Sequence, residues 1–419
     1  MTMKPPTPGS RRFATRRAGA GWGGRLCGPP RRPSRRRFIR NMCLGGLATF
    51  GAPLVSFAQV RQSGRFVFVL LRGGFDGLAA VVPYGDPSYQ SLRGSMAYQD
   101  SDLVALSDVF GLAPGLAPLE ELWDQKELVV LHAMAIPYRT RSHFDGQAIL
   151  ETGIDRPVGS ADGWLNRLLQ VMPGERSGIA IASGLPRSMS GSFDVQTWSP
   201  TELGVVDDEY LGRLSRLYRA DRTLSGRFEA AIQQQDVVGE EPMAGRNARR
   251  GGIGPLMRAA ARILRQDKGP NIAEVEFSGW DTHANQGLAG GALDRLLGQL
   301  AEGLVTLRTE MGRAWANTTV VVMTEFGRTA RPNGTRGTDH GTAGAGFLLG
   351  PQVARSRVFA DWPGLGDGAL FEGRDLKPTL DTRAVLKAAI AGTFDLTSAQ
   401  ADRVFPSSEA VRGAYDLMG

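Results

Sequence analysis

Short apolar runs that alternate with segments of helical period predict an α/β fold, with a largely parallel central sheet flanked by helices. Two observations carry this expectation. Five runs, Phe66–Leu71, Leu128–His132, Ile272–Phe277, Thr318–Thr324 and Gly346–Leu349, are brief, mostly apolar and rich in β-branched or aromatic residues, as strands buried on both faces must be. Amphipathic helical patterns fall between them, and strands separated by helices pair in parallel. No internal repeat of solenoid or propeller period is present.

The helices can be placed one by one. Pro255–Gln266 opens with Pro in the first turn and keeps Leu256, Ala260 and Ile263/Leu264 on one side. Leu293–Met311 repeats Leu293, Leu296/Leu297, Leu300, Leu304, Leu307 and Met311 at helical spacing. Asp381 is placed to cap a helix that runs through Ile390 and stops at Gly392. Residues 233–252 are polar and Gly/Arg-rich without periodicity, which reads as an exposed loop or insertion within one domain spanning 59–419.

The N-terminal segment reads as an export signal. Ser34-Arg35-Arg36-Arg37-Phe38-Ile39-Arg40 is close to the twin-arginine pattern S-R-R-x-F-L-K. An apolar stretch from Met42 to Phe57 follows, too short and too Gly/Ala-rich for a stable membrane span. Ser56-Phe57-Ala58 offers small residues for cleavage after Ala58. Residues 1–58 are therefore expected to be a twin-arginine signal peptide whose basic n-region has the composition of a disordered segment. The twin-arginine translocase is the expected partner in export, and the periplasm or another exported location the destination, with no stable membrane anchor.

Charge and cysteine content change once that segment is set aside. The chain holds 49 Lys+Arg and 42 Asp+Glu; residues 1–58 account for 12 of the basic residues and none of the acidic ones, leaving 37 against 42 and a formal charge of −5. A basic footprint for nucleic acid is absent from that remainder. Both cysteines, Cys27 and Cys43, also lie in the segment, so no disulfide framework is available afterwards.

Chemistry concentrates in polar clusters that follow the expected strands. Three of the four histidines lie beside carboxylates, in Arg141-Ser142-His143-Phe144-Asp145, Gly279-Trp280-Asp281-Thr282-His283 and Gly337-Thr338-Asp339-His340-Gly341. Imidazole nitrogen and carboxylate oxygen are the ligand set of Zn²⁺, Mn²⁺ and related ions. Asp76, in the Gly-rich turn Arg72–Leu78, sits where open α/β sheets place ligands, although a turn Asp bonding its own backbone, taken alone, is the better explanation. Ser142 and Asp145 match a capping box, so a helix is expected to start there; its free N–H groups, with Arg139 and Arg141 nearby, also suit an anion. Asp281 and His283, two apart, point the same way if the segment is extended. Strand Thr318–Thr324 leads into Glu325-Phe326-Gly327-Arg328. His132 ends an apolar run and reads as a core histidine, and Trp164 and Trp280 read as packing residues.

The ordered motifs G-G-F-D-G-L, R-S-H-F-D, G-W-D-T-H-A-N-Q, T-E-F-G-R-T and N-G-T-R-G-T-D-H-G resemble the exported bacterial family called domain of unknown function 1501. That family is similar, distantly, to alkaline phosphatases, sulfatases and cofactor-independent phosphoglycerate mutases. The resemblance implies an alkaline phosphatase/sulfatase-like three-layer fold. It implies metal-ligand positions at Asp76, Asp281, His283, Glu325 and His340, with Asp339 beside them, and a nucleophile at Ser142. Two departures stand out: the Asp and His of one site are separated by a single residue, and Phe326 stands where an imidazole is expected. One divalent ion, zinc or manganese, is therefore expected rather than two.

The expectation is an exported metal-dependent hydrolase of phosphate or sulfate esters, with Ser142 attacking and Arg139, Arg141 or Arg328 holding the anionic oxygens of a small substrate. The alternatives are a non-catalytic relative that binds an anionic ligand or envelope component, and clusters that only tie loops together.

Overall fold

The computed structural model describes residues 64–174, 176–200, 208–238 and 252–419, and these lie within one compact unit. Arg35, Arg36 and Ala58 of the expected signal peptide, and residues 239–251 of the expected loop, lie outside the described residues. No helix among those described is long and apolar enough to cross a membrane.

Nine strands form the main sheet: β1 Arg65–Arg72, β2 Leu128–Ala135, β3 Gly178–Ile181, β4 Gln196–Trp198, β5 Ile272–Ser278, β6 Thr318–Thr324, β7 Gly344–Leu349, β8 Arg357–Phe359 and β9 Leu380–Asp381. Their order is β8-β2-β7-β6-β1-β5-β3-β4, with β9 also alongside β2. All neighbours pair in parallel except β7, which runs antiparallel to both β2 and β6. The five expected strands are present, and the sheet is largely parallel as expected. The four that sequence patterning missed are the shortest members, two to four residues long, and lie at the sheet margins.

Period-two alternation in β1 divides the interior. Val67, Val69 and Leu71 enter one apolar core while Phe66, Phe68 and Leu70 enter the other, all of them solvent-inaccessible. The principal helices are α1 Gly77–Ala80, α2 His143–Thr152, α3 Trp164–Val171, α4 Asp208–Tyr218, α5 Arg222–Val238, α6 Gly254–Leu264, α7 Ala292–Met311, α8 Thr382–Phe394 and α9 Ser398–Val404. Helices α6 and α7 line the first core with Met257, Leu293, Leu297, Leu300, Leu304 and Leu307, on the stripe the leucine spacing predicts. Helices α2, α3, α8 and α9 line the second. The result is three layers, helix, sheet and helix.

Three local expectations are corrected. Residues 233–238 are the last turns of α5 rather than loop. Asp381 does cap α8, accepting from Arg383 N at 2.8 Å, but the helix passes Gly392 and ends at Phe394. Gly392 is needed for packing: a Cβ there would come within 2.8 Å of the Met418 side chain. Ser142 is the N-cap residue of α2, yet its side chain makes no capping bond, and Asp145 instead accepts from the Tyr138 hydroxyl at 2.9 Å.

The packing readings hold. Trp164 packs edge-on against Phe66 and Phe68, and Trp280 against Phe75 and Phe277. His132 is fully buried between Phe110 and Trp362, with Nε2 on the Val81 carbonyl at 3.0 Å and Nδ1 accepting from Ala133 N at 2.8 Å. Burial lowers its pKa to about 4.

Candidate metal centre

Because β1, β2, β5 and β6 run the same way, the segments that follow them emerge at one edge of the sheet. Strand β7 runs the other way, so the segment preceding it, with Asp339 and His340, arrives at that same edge. This one reversal brings five polar clusters together. The 327–329 and 339–341 segments pair antiparallel, through Gly341 N to Gly327 O and Thr329 N to Asp339 O, both 2.9 Å. The turn at 333–338 then zips onto the 282–286 segment: Asn333 and Thr335 side chains donate to the His283 carbonyl, and Thr338 N to Thr282 O.

Three donor atoms, His143 Nε2, His340 Nε2 and Asp281 Oδ1, meet at the centre, and His283 Nε2 adjoins two of them. His340 Nε2 is 3.0 Å from His143 Nε2, 3.0 Å from His283 Nε2 and 3.2 Å from Asp281 Oδ1. Asp281 Oδ1 lies 3.0 Å from His283 Nε2 and 3.6 Å from His143 Nε2. A tetrahedral ion with bonds of about 2.0–2.1 Å separates its ligands by roughly 3.3 Å, a value bracketed by the three distances among His143 Nε2, His340 Nε2 and Asp281 Oδ1, the atoms that lie mutually close. Asp281 and His283 do reach the same centre, but from tight turns (Thr282 N to Trp280 O, His283 N to Asp281 O) rather than an extended segment.

The outer nitrogens explain why the inner ones are free to bind. His340 Nδ1 lies 3.0 Å from the Arg141 carbonyl, which can only accept. His143 Nδ1 faces Glu325 Oε1 at 2.7 Å, and His283 Nδ1 faces Asp339 Oδ1 at 3.2 Å. With each Nδ1–H donated outward, the neutral rings aim three Nε2 lone pairs inward. Lone pairs 3.0 Å apart repel unless a cation or a shared proton lies between them, so the donor set fits a bound metal. The same hydrogen bond to Glu325 raises the His143 pKa, whereas burial and the neighbouring His143 lower that of His340. Burial alone would raise Asp281, but Arg328 and the imidazoles outweigh it and hold the carboxyl below its ordinary value.

The residues expected from sequence fall into three groups. Asp281, His283 and His340 supply inner atoms. Glu325 and Asp339 stand one step back as acceptors that orient His143 and His283. Glu325 is fully buried and also accepts from Gly73 N, Gln147 Nε2 and Thr324 Oγ1; burial raises its pKa, but the bonds from His143, Gln147 and Thr324 hold it low. Asp76 is not in the cluster. Its carboxylate is buried against Arg93 at 2.8 Å and Gln286 at 2.7 Å, and it caps α1.

The arginines are likewise engaged. Arg328 is buried and donates to the Gly74, Thr338 and Trp280 carbonyls and to Asp281 Oδ1. Arg141 pairs with Asp375 and Glu372, and Arg139 donates to the Ile136 and Tyr138 carbonyls. None of the three is free to grip a substrate anion in this arrangement. The residue the sequence reading left out of the ligand set is His143. Its motif was visible, but the helix-start reading of Ser142 took precedence, and only its place at the first position of α2 points it inward. Phe326, where the resemblance led to the expectation of an imidazole, packs its ring against His143 and His340 with centroids at 4.8 and 5.2 Å.

Searching the curated proteins returns no match. Among solved structures, a 2-O GAG sulfatase is similar with 10% identity and a TM-score of 0.39, over 84% of this chain and 74% of that one. The complex of Ps i-CgsB with k-i-k-neocarrahexaose is similar at 10% identity and TM-score 0.38, over 84% and 75%. The C-terminal periplasmic domain of EcEptC from Escherichia coli, in complex with Zn, is similar at 11% identity and TM-score 0.34, over 69% and 74%. The family described as "Protein of unknown function (DUF1501)" matches residues 123–406, a span that is more than half of the chain and contains His143, Asp281, His283, Glu325 and His340. This protein belongs to that family.

Proposed function

We propose that this protein is an exported hydrolase of phosphate or sulfate esters that uses one divalent metal ion, held by Nε2 of His143 and His340 and by Oδ1 of Asp281, with His283 Nε2 beside them as a further ligand. The observation that carries the proposal is the convergence of His143 Nε2, His340 Nε2 and Asp281 Oδ1, with the outer Nδ1 of each imidazole, His283 included, already committed to an acceptor. An imidazole-rich site with one carboxylate suits zinc. A bound divalent ion supplies Lewis acidity and lowers the pKa of an attacking hydroxyl.

The chain's own residues have assignable parts. Ser142 precedes His143 directly, and its side chain is not spent on capping α2, so its hydroxyl is the proposed nucleophile. The first N–H groups of α2, which no side chain caps, are the proposed donors to the ester oxyanion. Arg328 neutralises Asp281 and holds it in place, a positioning role in place of the anion-gripping one expected from sequence. Glu325 and Asp339 fix the tautomers of His143 and His283. Export through the twin-arginine route is proposed on Arg35, Arg36 and the Ala58 cleavage site.

The engagement of Arg139, Arg141 and Arg328 favours a second reading, a metal-holding protein that binds an anionic ligand or envelope component without turnover. Metal content by mass spectrometry, beside turnover of p-nitrophenyl phosphate and p-nitrophenyl sulfate, separates the two. About one equivalent of metal, lost in His143→Ala/His340→Ala, with ester turnover lost in Ser142→Ala, is expected. Metal without turnover leaves the second reading, and no metal after incubation with Zn²⁺ or Mn²⁺ sinks both.

A further inference from the structure

Arg141 is unusual on two counts. It is a non-glycine residue in the left-handed region, with φ of 65°, and its carbonyl is the acceptor that fixes His340. An L-residue stays there only where its surroundings hold it. Here the holder is visible. Both Nε and a terminal nitrogen of Arg141 lie 2.7 Å from Asp375 Oδ2, and Glu372 Oε2 accepts at 2.6 Å. Asp375 is fully buried and takes a further bond from Thr342 Oγ1 at 2.6 Å, while its Oδ1 lies 3.4 Å from Arg374. Its backbone is locked by reciprocal bonds with Phe371 and by the adjoining bond from Ala330 N to Arg374 O.

We propose that Asp375 is a positioning residue of the metal centre. By pairing with Arg141 it keeps residue 141 left-handed. That conformation aims the 141 carbonyl at His340 Nδ1, and the hydrogen bond turns Nε2 of His340 toward His143, His283 and Asp281. Asp375 lies outside all of the polar motifs, 33 residues beyond Thr342 and 234 beyond Arg141. The inference rests on the metal-binding reading of the cluster.

Glycine distinguishes this role from a mere structural tie, because it adopts positive φ without help. In the purified full chain, Zn²⁺ affinity is measured by competition with a chromophoric chelator, the Co²⁺ d–d spectrum reports the ligand set, and melting of the metal-free protein monitors folding. Arg141→Ala should weaken Zn²⁺ binding about 10–100-fold, the usual effect of losing an outer-sphere partner, and shift the Co²⁺ spectrum. Arg141→Gly should recover most of that loss. Asp375→Ala should fall to the level of Arg141→Ala, and should lower affinity no further when added to Arg141→Gly. Equal Zn²⁺ affinity in Arg141→Ala and Arg141→Gly overturns the proposal, and this pair decides the matter even if Asp375→Ala does not fold. A wild-type chain that binds no Zn²⁺ overturns the metal reading as well; a wild-type chain that binds while the Ala and Gly variants match overturns the positioning role alone.

Discussion

Replacing Glu325 tests how much the proposed metal centre depends on groups outside its ligand set. Oε1 of Glu325 receives Gly73 N at 2.9 Å, His143 Nδ1 at 2.7 Å and Gln147 Nε2 at 3.0 Å, while Oε2 receives Thr324 Oγ1 at 2.9 Å. Glu325→Gln can put its amide oxygen in the Oε1 place and turn its NH₂ toward Thr324 Oγ1. The three donors to the Oε1 place stay satisfied, Thr324 Oγ1 changes from donor to acceptor, and the negative charge behind His143 is lost. That charge strengthens the Nδ1–H bond and makes Nε2 a better ligand. Zn²⁺ affinity should therefore fall about 10–100-fold, or roughly 1.4–2.7 kcal/mol, with little change in the melting of the metal-free protein. Glu325→Ala acts differently. It strands at least the buried Gly73 N–H, at about 1–3 kcal/mol, and opens a cavity beneath Phe326, so the metal-free protein should itself be destabilised. Chelator competition and thermal melting of both variants read the two effects separately. Unchanged Zn²⁺ affinity in Glu325→Gln would refute the argument that Glu325 orients and polarises His143.

Other substitutions probe the same architecture. Asp76→Ala should leave the fully buried Arg93 without its carboxylate and cost about 3–5 kcal/mol in denaturant unfolding, yet leave metal stoichiometry of the folded protein unchanged; loss of metal would restore Asp76 as a ligand. Gly337→Ala places a Cβ 2.3 Å from the His283 carbonyl, so it should displace that loop and weaken Zn²⁺ binding, whereas Gly334→Ala, with open space around it, should be neutral in the same titration. His132 has its folded pKa depressed to about 4 from an ordinary 6.5, so the unfolded chain binds its proton first as pH falls. Stability should drop by up to about 3 kcal/mol between pH 6.5 and 4, and His132→Gln should flatten that part of the stability–pH curve measured by urea unfolding. Saturating Zn²⁺ at about a thousand times its Kd should stabilise the wild-type chain by roughly 4 kcal/mol, a gain that EDTA should reverse and His143→Ala should lack.

Much of this protein is legible in its sequence because the governing physics is local. Runs such as Phe66–Leu71 and Thr318–Thr324 can only be strands buried on both faces, and the leucine stripe of α7 has one period. The clustering of His and Asp after those strands pointed to the sheet edge at which His143, Asp281 and His340 meet. Short marginal strands such as Arg357–Phe359 carry too few residues for a pattern; pairing with β2 makes them strands. Gly392 looked like a helix stop because its partner, Met418, lies 26 residues away and is brought there by folding.

The division is sharpest at the centre. Residue type together with the family resemblance nominated Asp76, Asp281, His283, Glu325, Asp339 and His340, imidazoles and carboxylates being ordinary ligands of such ions. Their ranking was decided by tertiary contacts. Asp76 is claimed by Arg93 and by Gln286, 210 residues away; Glu325 and Asp339 retreat behind imidazoles; and the antiparallel entry of β7 delivers His340 to the edge where α2 presents His143. A side chain's chemistry is written in its identity, but whether it meets a metal, an arginine or a neighbouring ring depends on which distant segments the sheet order brings within 3 Å, and that is a property of the folded chain.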